Sequence, residues 1–378
     1  MKKFSLLLVS SFGVGLKTWK KNGLYGREIG YYKKLGRFLN NFAILSYDKK
    51  KEIPEGEKYE YFYNKACLPD IIFSFFFVLL YFKNIKKYEI IKTNQLAGAW
   101  SAAIIKLFFR KKIFVLRGGH AWDYEGGNLI TRKISDILLK WSFLSADVIF
   151  LVSNEDKNKY VTKFGKKIGE KIKILPNSID LNIFSYKERV RRNSINILLV
   201  GRLVEMKNFQ SVVEAITLLG LSLREKINLG IIGDGPYRGN LEEMSRINGV
   251  NTTFYGPIPN NDIVDYLQKS DIYILPQVYG SGMSKGIIEA MATGNIVIAS
   301  DLPAHRNTID ENENGFICQT DPKSIMEKIE YIIQNFNSDK LKLVRENAIK
   351  KVRDNFSMDS VSEKEYGFLL EVYNKKNV

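Results

Sequence analysis

The chain has 378 residues, enough for two domains of ordinary size, and an apolar content of 45%, which excludes global disorder. Its two cysteines, Cys67 and Cys318, lie far apart, which excludes a disulfide framework or a C-x-x-C metal cluster and points to a reducing cytoplasm. The net charge of +16 is one-sided: residues 1–190 carry 35 Lys+Arg against 17 Asp+Glu, and residues 191–378 carry 22 against 24. A basic first half attracts polyanions or an anionic membrane face. A lysine-rich composition bias is the plainer explanation, but a bias acts on both halves alike.

The first ten residues have the outline of a short signal sequence. Their apolar run leads directly into Phe12-Gly13-Val14-Gly15 and a basic stretch, so they read as a first buried strand, Phe4–Val9, and a glycine loop. Gly13 and Gly15 let a substrate approach the backbone, with Lys17, Lys20 and Lys21 nearby for an acceptor phosphate. Further strands are predicted at Phe42–Tyr47, Glu60–Tyr63, Glu89–Thr93, Ile113–Arg117, Val148–Val152 and Ile172–Leu175. Helices are predicted between them at Gly26–Leu39, Pro69–Phe82, Gly98–Phe109, Leu129–Leu144 and Glu155–Phe164. The segment Ile71–Phe82, IIFSFFFVLLYF, is too short to span a bilayer. It reads either as a buried core helix or as an apolar helix dipping into a membrane surface beside Lys83, Lys86 and Lys87. The strand at 113–117 runs into Arg117-Gly118-Gly119-His120, which sets a histidine at a strand end, as a candidate sugar contact or an ordinary loop residue.

The polar, turn-forming stretch 175–194 separates two units. We place the domains at 1–185 and 186–357, with a last helix at about 358–378 packing back on the first. The alternation then restarts. Strands are predicted at Ile195–Val200, Ile227–Ile232, Thr253–Tyr255, Ile272–Leu275, Ile296–Ala299 and Phe316–Cys318, with helices after them. Strands this apolar, separated by helices, imply α/β units with parallel sheets covered on both faces.

Three turns in the second unit carry chemistry. The first strand ends in Gly201-Arg202 and leads to Lys207 just before a helix. Two cations at a helix N-terminus suit a pyrophosphate, although the residues alone equally describe a solvated turn. The second strand ends in Gly233-Asp234-Gly235-Pro236, a tight strand-to-helix turn. The fourth leads to Gly280-Ser281-Gly282-Met283-Ser284 and a helix carrying Glu289. That loop offers N–H groups to sugar or phosphate oxygens, and Glu289 is placed to accept from vicinal hydroxyls or simply to complement the helix dipole.

Together GRLVEMKN (201–208), GDGP (233–236), YGPIPNNDI (255–263) and YGSGMSKGIIEAMATGNIVIASDLPAHR (279–306) resemble the retaining glycosyltransferases of family 4, which have the GT-B fold. LPNSIDLNIF (175–184) resembles the family's segment before its second domain. The resemblance implies two Rossmann-like domains facing a central cleft. It also implies a nucleoside-diphosphate-sugar donor, no metal or other cofactor, and retention of anomeric configuration. By the same resemblance Arg202 and Lys207 contact the diphosphate, Glu289 the ribose, Ile258 the base, and His120 the donor sugar. Gly13, Gly201, Gly233, Ser281, Gly282, Met283 and Ser284 complete the donor site. The family pattern has a glutamate eight residues before Glu289; here that position is Ser281, which points to altered sugar recognition. A glycan or polyprenyl-linked acceptor at the cytoplasmic face of an anionic membrane is the expected partner. A nucleotide-sugar epimerase or hydrolase of the same fold, and a catalytically silent nucleotide-binding partner, stay open. A nucleic-acid-binding role has no recognised module behind its charge.

Overall fold

Among the described residues, thirteen short runs, most of them rich in Ile, Val, Leu and Phe, form strands, and helices connect nearly all of them in sequence. The computed structural model describes residues 2–53, 56–57, 59–119, 129–188, 193–280 and 282–377. It divides into two compact units, Met1–Asn177 with Val361–Val378, and Ser178–Ser360.

The strands of the first unit are β1 (Phe4–Val9), β2 (Leu39–Leu45), β3 (Glu60–Phe62), β4 (Ile90–Thr93), β5 (Ile113–Gly118), β6 (Val148–Leu151) and β7 (Ile172–Ile174). They form one parallel sheet in the order β3-β2-β1-β4-β5-β6-β7. Every residue of β1 is buried, because both faces are covered. Leu7 and Val9 join a core with Phe73, Phe77 and Tyr88. Phe4, Leu6 and Leu8 turn the other way and pack with Trp19, Val361 and Leu369. The last two belong to the helix Met358–Asn377, so this distant segment covers part of the first sheet. It also brings a charge into the interior. Lys92 of β4 is 2% exposed and Glu365 is 0% exposed. The Lys92 ammonium donates to both Glu365 oxygens at 2.7 and 2.8 Å, and the Tyr31 hydroxyl donates to the same carboxylate at 2.5 Å.

One helix is absent from the sequence reading, and a second combines features of both readings given for it. A six-residue helix, Leu16–Lys21, follows the first glycine loop; its local sequence gives no sign of it. Asp48 supplies the missing cap from across the fold, accepting the Leu16 N–H at 2.7 Å and the Ser46 hydroxyl at 3.0 Å. The second is the helix Asp70–Leu80. Phe73, Ser74, Phe77 and Val78 are buried, as a core helix requires, while Ile71, Ile72, Phe75, Phe76 and Leu79 are exposed.

In the second unit, β8 (Ile195–Val200), β9 (Ile227–Ile232), β10 (Thr252–Gly256), β11 (Ile272–Leu275), β12 (Ile296–Ser300) and β13 (Phe316–Cys318) form a parallel sheet in the order β10-β9-β8-β11-β12-β13. The order runs outward in both directions from the β8–β11 pair. The connections from those two strands therefore lead away from each other, one to β9 and one to β12, and open sheets of this kind bind ligands in the crevice at such a switch point.

Candidate functional site

The loop after β8 holds the first candidate cations. Gly201 donates to the Ile232 carbonyl at 3.0 Å, and Leu203 donates to the Asp234 carbonyl at 2.9 Å, which lays the 201–203 and 233–235 loops backbone against backbone. Gly233, with φ of 133°, is there because nothing larger fits: a Cβ would stand 1.8 Å from the Gly201 carbonyl oxygen. The chain then makes a short turn, Glu205–Lys207, and enters the helix Phe209–Leu218 through Asn208, whose φ of 55° is left-handed. Asn208 holds that conformation because its amide donates to the Thr320 carbonyl at 2.8 Å and its oxygen accepts from Ser211 at 2.7 Å. Arg202 is exposed and Lys207 half-buried, both beside this helix N-terminus.

The loop after β11 comes to meet it. Val278 donates its N–H to the Met206 carbonyl at 3.0 Å, and the Lys207 ammonium donates to Gln277 Oε1 at 2.6 Å. Burial, and then the Arg202 guanidinium, pull the Lys207 ammonium below its ordinary value of 10.5. A dianionic group at this spot reverses the second cause and offsets the first. Behind Gln277 sits a buried polar relay. The Ser300 hydroxyl donates to the Gln277 carbonyl at 2.5 Å, and His305 Nδ1 donates to the Ser300 carbonyl at 2.8 Å. His305 is 2% exposed, and burial holds it below its ordinary range, with Lys207 adding to the effect against the Ser300 carbonyl.

Glu289 lies on the helix Lys285–Ala292 and is 6% exposed. Asn260 donates to its Oε1 at 3.2 Å. Asn260 sits two residues past Ile258, on the half-buried loop that follows β10. The acidic residue and the proposed base loop are thereby tied together at the same edge of the sheet. Gly282, Met283 and Ser284 lead into that helix, with Met283 buried and Ser284 at the N-cap position.

The structure thus brings Gly201, Arg202, Lys207, Gly233, Ile258 and Glu289 to the strand C-termini of one unit, along with the 282–284 segment. Gly13 belongs to the other unit, exposed in the loop after β1 with φ of 69°. His120 and Ser281 lie outside the described residues. Gln277, Asn260, Ser300 and His305 are additions. All four stand inside or beside the quoted motifs, but only their contacts through space reveal a role. A concavity of 810 Å³ lined by Asn193, Ile195, Lys226 and Asp271 lies at the strand N-termini, the edge away from these loops, and we do not assign the donor there. Among the described residues no group of three or more His, Cys, Asp or Glu side chains is placed to hold a metal ion.

Comparison with known proteins converges on one family. Residues 183–351 match the model for glycosyl transferases group 1, and residues 41–183 match the model for glycosyltransferase family 4. An uncharacterised glycosyltransferase of Methanocaldococcus jannaschii is 26% identical over 280 residues, 70% of this chain and 69% of that protein. An N,N'-diacetylbacillosaminyl-diphospho-undecaprenol alpha-1,3-N-acetylgalactosaminyltransferase of Campylobacter jejuni is 25% identical over 219 residues, 54% of this chain and 56% of that one. Among solved structures, Anabaena HepE in complex with UDP superposes with a TM-score of 0.76 at 14% identity, covering 97% of this chain and 100% of that one, a likeness of fold. With two Rossmann-like parallel sheets and two abutting family matches from residue 41 to residue 351, the chain belongs to the family 4, group 1 glycosyltransferases of GT-B fold.

Proposed function

We propose that the protein transfers a hexosyl group from a nucleoside-diphosphate sugar to a glycan or lipid-linked acceptor, with retention of configuration, in cell-surface polysaccharide synthesis. The observation that carries this reading is the pairing of Arg202 with a charge-perturbed, half-buried Lys207 at the switch point of a parallel sheet. In the reaction the bond from the sugar's anomeric carbon to the diphosphate oxygen breaks, and its electron pair leaves with the diphosphate. The acceptor hydroxyl oxygen bonds to that carbon on the face being vacated, and its proton goes to the departing phosphate oxygen. Arg202 and Lys207 offset the charge growing on the leaving group, Glu289 orients the ribose, and Ile258 borders the base. The 282–284 backbone holds sugar oxygens where the family's first glutamate is replaced by Ser281. Gly13 and His120 are assigned from the sequence, His120 to the sugar. The diphosphate-polyprenol in the Campylobacter relative's name and the UDP bound to HepE support the donor and acceptor classes, and the basic first half supports an acceptor presented at an anionic membrane surface.

A thermal-shift panel of UDP-, GDP-, ADP- and TDP-sugars tests the donor directly, since a ligand that binds only the native state raises Tm. We expect one nucleotide class to shift the melt. Lys207→Ala should abolish that shift and lower turnover by about a hundredfold or more without lowering the Tm of the free protein. Near-normal turnover in Lys207→Ala would remove the assignment. Proton NMR of the product's anomeric signal reads retention or inversion.

A further inference from the structure

We propose that the outward face of the helix Asp70–Leu80, continued by Phe82, Leu107 and Phe108, is a docking surface for an anionic lipid bilayer. The helix is divided cleanly. At about 100° per residue, positions 71, 72, 75, 76, 79 and 80 fall on one half of its circumference and positions 73, 74, 77 and 78 on the other. The second half is buried and the first is exposed, with Phe76 at 52% and Leu79 at 61%. The helix Trp100–Phe108 runs beside it in the same direction. Trp100 Nε1 donates to Ser74 Oγ at 3.1 Å at one end, and the Phe82 and Phe109 rings meet at 4.8 Å at the other. Phe108, next to that ring contact, is 53% exposed. The apolar surface therefore continues from one helix to the next, where exposed large side chains are ordinarily scattered singly.

Charge identifies the occupant. Residues 71–88 and 104–112, which form this surface and its border, contain seven Lys or Arg and no Asp or Glu. Lys83, Lys86, Lys87, Arg110 and Lys111 are exposed, and the Lys86 ammonium stands 5.0 Å from the centre of the Phe82 ring, at the edge of the apolar face. An apolar face rimmed by cations fits acyl chains beneath anionic headgroups. A second copy of the chain docked on the same face sets this cationic rim against itself. Eleven residues span about 16 Å at a 1.5 Å rise, roughly half a bilayer core, so the helix lies in the interface. No described helix is long and apolar enough to cross a membrane.

This inference deepens the acceptor half of the proposed function, and it is tested apart from the donor site. The full chain is sedimented with vesicles of phosphatidylglycerol and phosphatidylcholine, or of phosphatidylcholine alone. Partitioning at least about tenfold stronger onto the anionic vesicles is expected. Phe76→Asp/Leu79→Asp should lower it about tenfold or more, and Lys83→Ala/Lys86→Ala/Lys87→Ala should lower it and flatten its salt dependence, both with unchanged Tm and unchanged nucleotide-induced shift. Failure of the wild-type chain to bind anionic vesicles overturns the proposal. So does binding at the wild-type level by both variants, or a wild-type dimer that Phe76→Asp/Leu79→Asp dissociates.

Discussion

Lys207 carries the proposed diphosphate contact at the scale of one side chain. Its ammonium is half-buried, held on Gln277, and depressed by burial and by Arg202. A bound diphosphate favours the charged form, so it raises the Lys207 pKa and takes up a proton where the free lysine has lost one. Affinity for a nucleoside diphosphate should be full below the lowered lysine value and fall as pH climbs through it, at a pH below 10.5. Calorimetric titration across that range measures it. Lys207→Arg, protonated throughout, should flatten the profile; a wild-type profile that is already flat would contradict the assignment. The cations themselves are legible in the sequence because they follow a strand and precede a helix. Gln277 and Asn260 are not, since each meets its partner across 29 to 70 positions of chain. His305 is visible in the sequence as one of two histidines, yet its burial behind Ser300 is a property of packing.

At the scale of elements, the alternation of apolar runs predicts every described strand, with ends shifted by up to three residues where pairing extends beyond the apolar core. β2, for example, starts at Leu39 because its backbone pairs with β1 from Phe4 onward, although Asn40 and Asn41 point outward. Helices depend more on tertiary partners: Leu16–Lys21 exists through Asp48, which no local pattern announces. The tightest joint is between the loops after β8 and β9. Gly233→Ala drives a methyl group into the Gly201 carbonyl and should cost about 3 kcal/mol or more, read as a fall in denaturant midpoint together with loss of the nucleotide-induced shift. Gly239→Ala is the control. A Cβ there meets nothing within 4 Å, and inside the helix Arg238–Ile247 it should stabilise by about 0.5–1 kcal/mol. Equal effects of the two substitutions would show that the close approach does not govern this joint.

On the scale of the whole molecule, the Lys92–Glu365 pair links residues 273 positions apart within one unit. Glu365→Ala strands a buried ammonium and should cost about 3–5 kcal/mol in denaturant unfolding. Lys92→Met/Glu365→Leu should recover most of that loss, and a double variant as unstable as the single one would refute the explanation. The same discontinuity dictates an order of assembly. During synthesis residues 178–360 are complete before 361–377 emerge, so the second unit has all of its own chain while the first still lacks the helix that covers Leu6 and Leu8 and neutralises Lys92. The half of the protein made first is thus the half that finishes last. Until its final segment arrives it exposes a greasy, charged strip of sheet to whatever chaperone or neighbouring chain is at hand.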